Sequence, residues 1–273
     1  MATSKTARTS KSAQTSKTAQ RPRYTLRNRA RAVGIASCVA LVVVVEILIR
    51  LGLINPFVVP LPSQILMSIP RIVMEENVPQ RFWQTTEEVL WASLLLTIFG
   101  TSIGALLHRF KLLRLATYSW VGALAAAPIV LLYPLFLVIF GRSATTIVMI
   151  GFVAGLAPVI LKTVEGLSGT KRVLIAVGQS FRATPQQQFW KILLPAALPS
   201  IFVGLRLGLI FAMINIVGVE FLINFGGLGQ LINELAERYD LPGTYGAICF
   251  VVLISMLVFA ATERVERWAR PIE

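Results

Sequence analysis

The sequence predicts an all-α integral membrane protein with six transmembrane helices. Three observations support this fold class. The chain of 273 residues is 55% hydrophobic and only 14% charged, whereas soluble domains are about a quarter charged. It contains several apolar segments of about 20 residues, the length that one bilayer crossing requires. Its Lys and Arg residues are concentrated in alternate segments between the apolar runs, as in membrane proteins of fixed orientation.

The first 31 residues form a basic tail without acidic residues, which contains three related hexapeptides beginning at Thr3, Thr9 and Thr15. Since this tail has almost nothing to bury, we predict that residues 1–31 are disordered. Such a composition resembles an organelle transit peptide, but we favour a solvated cytoplasmic tail attracted to anionic lipid headgroups. Residues 32–273 then form the membrane domain.

Six apolar runs follow the tail. The predicted spans are residues 33–53, 83–107, 115–140, 145–167, 196–223 and 245–262. Five prolines between residues 55 and 81 exclude a spanning helix there but permit short interfacial helices. Within the first span, Glu46 is expected to pair with Arg50, four residues further along.

The orientation of the spans follows from the basic residues between them. With the N-terminus inside, the cytoplasmic segments hold 20 Lys and Arg residues and the outer segments hold five. Cytoplasmic loops carry such an excess, so both termini are predicted to be cytoplasmic. The net charge of +13 therefore marks membrane topology, and we expect no nucleic-acid partner.

Three pairs of glycines lie four residues apart within the predicted spans: Gly100/Gly104, Gly151/Gly155 and Gly204/Gly208. Small residues at this spacing allow helix backbones to approach closely in lipid. We favour packing within the bundle over a specific dimer seam.

Catalytic motifs are absent from the sequence. It has no G-x-x-x-x-G-K-[ST] phosphate-binding loop and a single histidine, His108, which supports neither a zinc cluster nor a Ser-His-Asp triad. We therefore predict that the chain is not an enzyme and binds no cofactor or metal.

The longest loop between spans, about residues 168–194, has a pattern of its own. Val173, Leu174, Val177 and Phe181 recur at helical spacing. The pair Thr184–Pro185 is typical of a cap and first turn that begin a second helix, residues 185–194. We predict two short amphipathic helices whose apolar stripe needs a cover: a partner, the membrane surface or the chain's own bundle.

The residues after that turn resemble a known family. Ala183-Thr184 is followed, about ten residues later, by Leu194-Pro195-Ala196-Ala197-Leu198-Pro199 and a long apolar run. This order resembles the EAA loop of permease subunits of ABC importers, in the nitrate/sulfonate/taurine branch. Further matching segments are LPSQIL (61–66), PIVLLYPLFLVIFG (128–141), GLRLGL (204–209), GVEFL (218–222) and GGLGQLI (226–232). The resemblance, which runs from about residue 33 onward, implies a type I ABC importer permease architecture with a cytoplasmic coupling-helix loop.

One departure from the family pattern concerns the loop itself. Where the family has Glu-Ala-Ala, three residues and Gly, this chain has Ala176, Val177, Gly178 and, at the glycine position, Arg182. Glycine adopts a left-handed turn at little steric cost, and arginine does not. The loop is thus expected to close differently or to dock on the ATPase with altered contacts. Such a change would be tolerable if a second permease subunit with a regular loop shared the complex.

The resemblance implies that the chain works with ATPase subunits that bind the ATP, a second permease of the same or a different chain, and an extracytoplasmic solute-binding protein. It implies a bacterial inner-membrane location and a small polar or anionic solute: nitrate, a sulfonate, taurine or a vitamin precursor. The residues expected to couple to the ATPase are Gly178, Phe181, Arg182, Ala183, Phe189 and Pro195. Phe181 and Phe189 have an alternative role in packing against the chain's own spans.

The residues expected along the solute path are Pro128, Tyr133, Phe136, Arg206 and Glu220. Arg206 would attract an anion, although we favour a structural salt bridge or a snorkelling side chain. Glu220 lies about 21 Å further along the same helix, so it cannot pair with Arg206 within one straight helix. It matches a position of the family and is expected to hold the following Gly226-Gly227 loop. Pro128 and its neighbours either line a gate or only kink the span.

An ATP-independent secondary transporter is the alternative class. Such proteins often contain internal repeats and charged relays within their spans, and this sequence has no repeat between its halves and few midspan charges. Solute uptake by the chain alone, driven by an ion gradient, would distinguish this class from an ATP-driven permease.

Overall fold

The computed structural model describes residues 23–55 and 58–269, and all regular secondary structure within them is helical. The chain divides into two units, one ending at residue 56 and one beginning at residue 57. The first unit contains helix α1 (Arg23–Arg50). Residues 23–31, assigned to the disordered tail by sequence, are thus helical, while residues 1–22 lie outside the described part. The expected Glu46–Arg50 ion pair is present, with 2.7 Å between the charged atoms.

In its described part, the second unit holds one short 3-10 helix, Ile129–Leu132, and nine other helices. They are α2 (Pro62–Glu75), α3 (Val78–Arg109), α4 (Lys111–Ala126), α5 (Tyr133–Phe140), α6 (Ala144–Ser168), α7 (Arg172–Ser180), α8 (Pro185–Ile223), α9 (Gly227–Glu237) and α10 (Leu241–Ala269). Helices α3 and α8 each include one π-helical turn, Leu96–Gly100 and Phe189–Leu193 respectively. The short helix α2 lies within the proline-rich segment, as expected.

Four of the described helices are long and apolar enough to cross a membrane: α3, α6, α8 and α10. A bent pair, Lys111–Ala126 and Ile129–Phe140, makes a fifth if it is counted as one span. The all-helical membrane fold is therefore confirmed, whereas the predicted number of six spans is not.

The third predicted span is not one continuous helix. Its two halves meet at an angle of 91°, at Ala127 and Pro128. The backbone of Ala127 is extended, with ψ of 133°, because the ring of a following proline disfavours the helical conformation. The span predicted over residues 115–140 is therefore broken at Pro128, where the sequence analysis allowed a kink.

The second helix of the 168–194 loop does not end at residue 194, as the sequence suggested. It continues without a break into the predicted fifth span, so that α8 has 39 residues and a length of about 58 Å. The π-helical turn lies just before Pro195, where the proline cannot donate its backbone hydrogen bond. Loop and span therefore form one continuous rod.

The glycine pairs pack the bundle together. Gly155 of α6 lies against the backbone of Gly208 in α8, and Gly100 of α3 lies against Val159 of α6. The main buried cluster is built around α3, α6, α8, α9 and α10. These contacts within the chain agree with the bundle-packing interpretation of the glycine pairs.

Candidate functional site

Helix α7, the turn after it and the start of α8 form an exposed helical hairpin. Two backbone hydrogen bonds close the turn: the Arg182 N–H donates to the Gln179 carbonyl at 2.9 Å, and the Ala183 N–H donates to the Gly178 carbonyl at 3.0 Å. This pattern is a Schellman motif, which ends helices with a left-handed residue. Arg182 occupies that position with φ of 54°. The turn therefore closes with arginine in the conformation that glycine adopts most easily.

The start of α8 is fixed by a capping box at Thr184, where the sequence predicted a cap. The Gln187 N–H donates to the Thr184 hydroxyl at 3.3 Å, and the Thr184 N–H donates to the Gln187 side chain at 3.0 Å. The Gln188 amide also donates to the Ile175 carbonyl at 3.3 Å. Because this last bond joins the two helices, the hairpin is held as one body.

The outer surface of the hairpin is apolar. Phe181, at its tip, is 83% exposed, and Val173, Leu174 and Val177 of α7 are exposed as well. An uncovered stripe of this kind marks a contact surface. Within the described residues, the chain itself does not cover it.

The other residues expected to couple lie deeper in the hairpin. Gly178 is buried and lies against the end of the Ile192 side chain, which would have to move to accommodate a larger residue. Phe189 is half-buried and packs beside the small cluster formed by Leu167, Ala197 and Ile201. Ala183 and Pro195 are also partly buried. Phe181 and Phe189 thus have different surroundings, one facing outward and the other facing the chain's own spans.

The strained turn gives a direct prediction. We expect Arg182→Gly to be more stable than Arg182→Ala by about 1 kcal/mol, because only glycine removes the steric cost of the left-handed backbone. Thermal unfolding of both variants in detergent measures the difference. Equal melting temperatures would contradict a left-handed turn at this position, since both variants lack the arginine side chain.

The bent α4–α5 element carries three of the residues expected along the solute path. Pro128 is exposed at the bend, while Tyr133 and Phe136 of α5 are half-buried and pack against the main cluster. The Phe136 ring stacks on Phe140 with centroids 6.1 Å apart. The structure thus brings the three together on one element.

Arg206 has a partner on another helix. Its guanidinium forms an ion pair with Glu266 of α10 and lies over the Phe259 ring, 4.9 Å from the centroid. It borders a largely apolar cavity of about 350 Å³ between α8 and α10. This arrangement corresponds to the structural salt bridge favoured from the sequence.

Glu220 lies at the end of α8 opposite the hairpin and is fully buried. Its carboxylate accepts hydrogen bonds from the Thr85 hydroxyl of α3 and from the Gly229 N–H of α9, each at 2.7 Å. The Leu228 N–H donates to the Thr85 hydroxyl at 2.9 Å. A side chain on Gly227, whose φ is 73°, would collide with the carboxylate. Glu220 therefore ties α3, α8 and the glycine-rich loop together.

The sequence analysis overlooked three residues of these contacts: Thr85, Glu88 and Glu266. Glu88 is buried beside Glu220. The adjacent acids Glu87 and Glu88 inside an apolar run were the available signal, since ionisable groups within spans are costly and rare. Glu266 gave no such signal, because it follows its apolar run among other charged residues.

Comparison with known proteins identifies the fold. The chain resembles one chain of an inward-facing structure of the MetNI methionine ABC transporter, with a TM-score of 0.63, 20% sequence identity, and coverage of 72% of this chain and 98% of that one. This likeness shows that the chain has the fold of that transporter chain, and its apolar helices agree with a membrane protein.

The family follows from sequence comparison. Residues 96–271 match the family described as the inner membrane component of binding-protein-dependent transport systems, and the chain belongs to that family. It is 28% identical to the formylaminopyrimidine transport permease ThiX of Halalkalibacterium halodurans, over 80% of this chain and 86% of that protein. It is 24% identical to the taurine transport permease TauC of Escherichia coli, over 89% and 90% of the two chains.

These findings confirm the resemblance to ABC importer permeases of the sulfonate and taurine type. The chain is a multi-pass permease subunit of a binding-protein-dependent ABC importer, and not an enzyme, since the ATPase of such a transporter is a separate chain.

Proposed function

We propose that this permease carries a small polar or anionic solute into the cell, and that the α7 hairpin receives the driving motion from a separate ATPase subunit. The observation that carries the proposal is the uncovered apolar stripe of α7, with Phe181 at its tip. An apolar side chain that inserts into a pocket of a partner is a common energetic centre of an interface.

The geometry of α8 supports the transmission of that motion. The hairpin is closed by the Schellman turn and the capping box, and its second helix is continuous with a membrane span. A force applied at Phe181 is therefore delivered to the bundle by a stiff element. Rigid-body movement of packed helices between two arrangements would then open the solute path to one side or the other.

The remaining partners are proposed from the family and the relatives. A second permease subunit, two ATPase subunits that bind the ATP, and an extracytoplasmic binding protein would complete the transporter. The chain would lie in the bacterial inner membrane with both termini and the hairpin in the cytoplasm, as the distribution of basic residues predicts. Two relatives are named as transport permeases for formylaminopyrimidine and for taurine. These solutes support a small polar solute of the sulfonate, nitrate or vitamin-precursor type for this chain.

The path itself is proposed to run past the bent α4–α5 element, with Tyr133 and Phe136 beside the bend. Arg206 and Glu220 are engaged within the chain, so we assign them to holding helices in place rather than to contacting the solute.

Purification of the tagged chain from its own host tests the proposal. We expect an ATPase subunit to accompany it, and uptake by the purified complex in liposomes to require ATP. Uptake by this chain alone, driven by an ion gradient, would instead establish the secondary-transporter alternative.

A further inference from the structure

Two carboxyl groups meet inside the bundle at the end opposite the hairpin. Glu88 of α3 is 5% exposed and Glu220 of α8 is fully buried. Thr85, which donates to Glu220, is also buried and lies three residues before Glu88 on the same face of α3. This geometry places the Glu88 carboxyl beside that of Glu220. Two negative charges this close in a buried site strongly disfavour each other. The two carboxyl groups are therefore not both ionised.

The hydrogen-bond donors around the pair distinguish its two members. Glu220 receives the Thr85 hydroxyl and the Gly229 N–H, each at 2.7 Å, and such donors stabilise a carboxylate. The Oε2 atom of Glu88 is buried and receives no hydrogen bond from the described residues. A buried charge without donors is costly, so the negative charge belongs on Glu220.

Among the described residues, the side chains around Glu88 do not supply a counter-charge. On its own face of α3, the basic residue is Arg81, two turns earlier, and this side chain pairs with Glu234 of α9 at 2.8 Å. Glu87 adds a further acid on α3, and α6 contributes the hydroxyl of Thr145 to the same cavity. The described residues also contain no group of three or more His, Cys, Asp or Glu that could hold a metal ion.

The geometry points to a proton held on Glu88 and donated to Glu220, so that the pair carries one negative charge and joins α3 to α8. This inference goes beyond the transport function and depends neither on the solute nor on the ATPase. The chain thus contains a proton-binding site within its spans, at the junction that also fixes the start of α9.

A cavity of about 560 Å³ beside Glu88 provides an exchange route for the proton. Glu87, Trp91 and Phe225 line it together with Glu88, and Glu87 and Trp91 are exposed. Loss of the proton would place two anions in contact at the junction. The contact between α3 and the α8–α9 turn would then weaken. Release of the proton would therefore loosen the junction between these helices.

Infrared spectroscopy of the full chain, purified with its partner subunits, tests this directly. We expect the wild type to show the C=O stretching band of a buried protonated carboxyl group. Glu88→Gln should lose this band, and the matched control Glu87→Gln, one residue away in the same cavity, should keep it. A wild-type spectrum without the band, or a band that persists in Glu88→Gln, overturns the proposal.

Thermal unfolding gives a second, independent readout. Because a glutamine amide also donates to Glu220, we expect the melting temperature of Glu88→Gln to lie within about 3 °C of the wild type. A much higher melting temperature would mean that the wild type contains two repelling carboxylates. A much lower one would mean that the junction needs the charge of Glu88. Either result contradicts a neutral Glu88.

Discussion

Replacement of Phe181 by alanine is expected to reduce ATP-driven solute uptake to background while the chain still accumulates and folds. The side chain is 83% exposed, so its removal leaves no cavity in the chain's own core. If it inserts into a pocket of the ATPase, its loss should cost about 2 kcal/mol or more at the interface. That corresponds to an association roughly 30-fold weaker.

Tyr239 offers a matched control for this experiment. It is an aromatic residue that is 88% exposed, and it lies between α9 and α10, at the opposite end of the bundle from the hairpin. Tyr239→Ala should therefore retain the co-purifying ATPase, whereas Phe181→Ala should lose most of it. Co-purification of the ATPase with Phe181→Ala at the wild-type level would show that the exposed stripe is not the contact.

The hairpin could be predicted from sequence because its determinants are local. The recurrence of Val173, Val177 and Phe181 every four residues defines one face of a helix, and α7 has the predicted place. Thr184 and Pro185 are neighbours in the sequence and form the predicted cap. The closure of the turn was not predicted: the loss of the family's glycine led us to expect that the loop would close differently or dock with altered contacts, whereas Arg182 itself adopts the left-handed conformation.

The angle between α4 and α5 and the length of α8 depend on tertiary contacts that the sequence does not display. Pro128 signals a break in a helix, but the angle of 91° is set by what the two halves pack against. The second loop helix was also predicted to end just before Pro195, yet α8 continues through this proline and through Pro199. In an apolar environment a helix retains more backbone hydrogen bonds than a loop would, so the tertiary setting overrides the local preference.

The carboxyl pair illustrates the same limit at the level of single side chains. Thr85 and Glu88 lie one turn apart on α3, but their contact with Glu220 joins positions more than 130 residues apart. Hydrophobic periodicity predicts which face of a helix is buried, not which helix covers it. Only the three-dimensional arrangement reveals that an acid inside an apolar run has another acid as its neighbour.

The largest expected loss of stability comes from Gly155→Leu. A Cβ atom at this position would lie 2.7 Å from the Leu96 side chain and 3.0 Å from the backbone carbonyl carbon of Gly208. The second contact is the decisive one, because a backbone cannot rotate away as a flexible side chain can. Helices α6 and α8 would have to separate along their closest approach, and overpacking of this kind costs about 3 kcal/mol.

For a chain of this size, that cost lowers the melting temperature by about 10 °C. The matched control is Gly122→Leu on α4, where an added Cβ meets no atom within 4 Å and the melting temperature should change little. Loss of the monodisperse gel-filtration peak on heating in detergent reports unfolding for both variants. If the two variants have the same melting temperature, the close contact between Gly155 and Gly208 does not hold α6 and α8 together. The glycines would then have to serve another purpose, such as the specific dimer seam that the sequence left as the less favoured alternative.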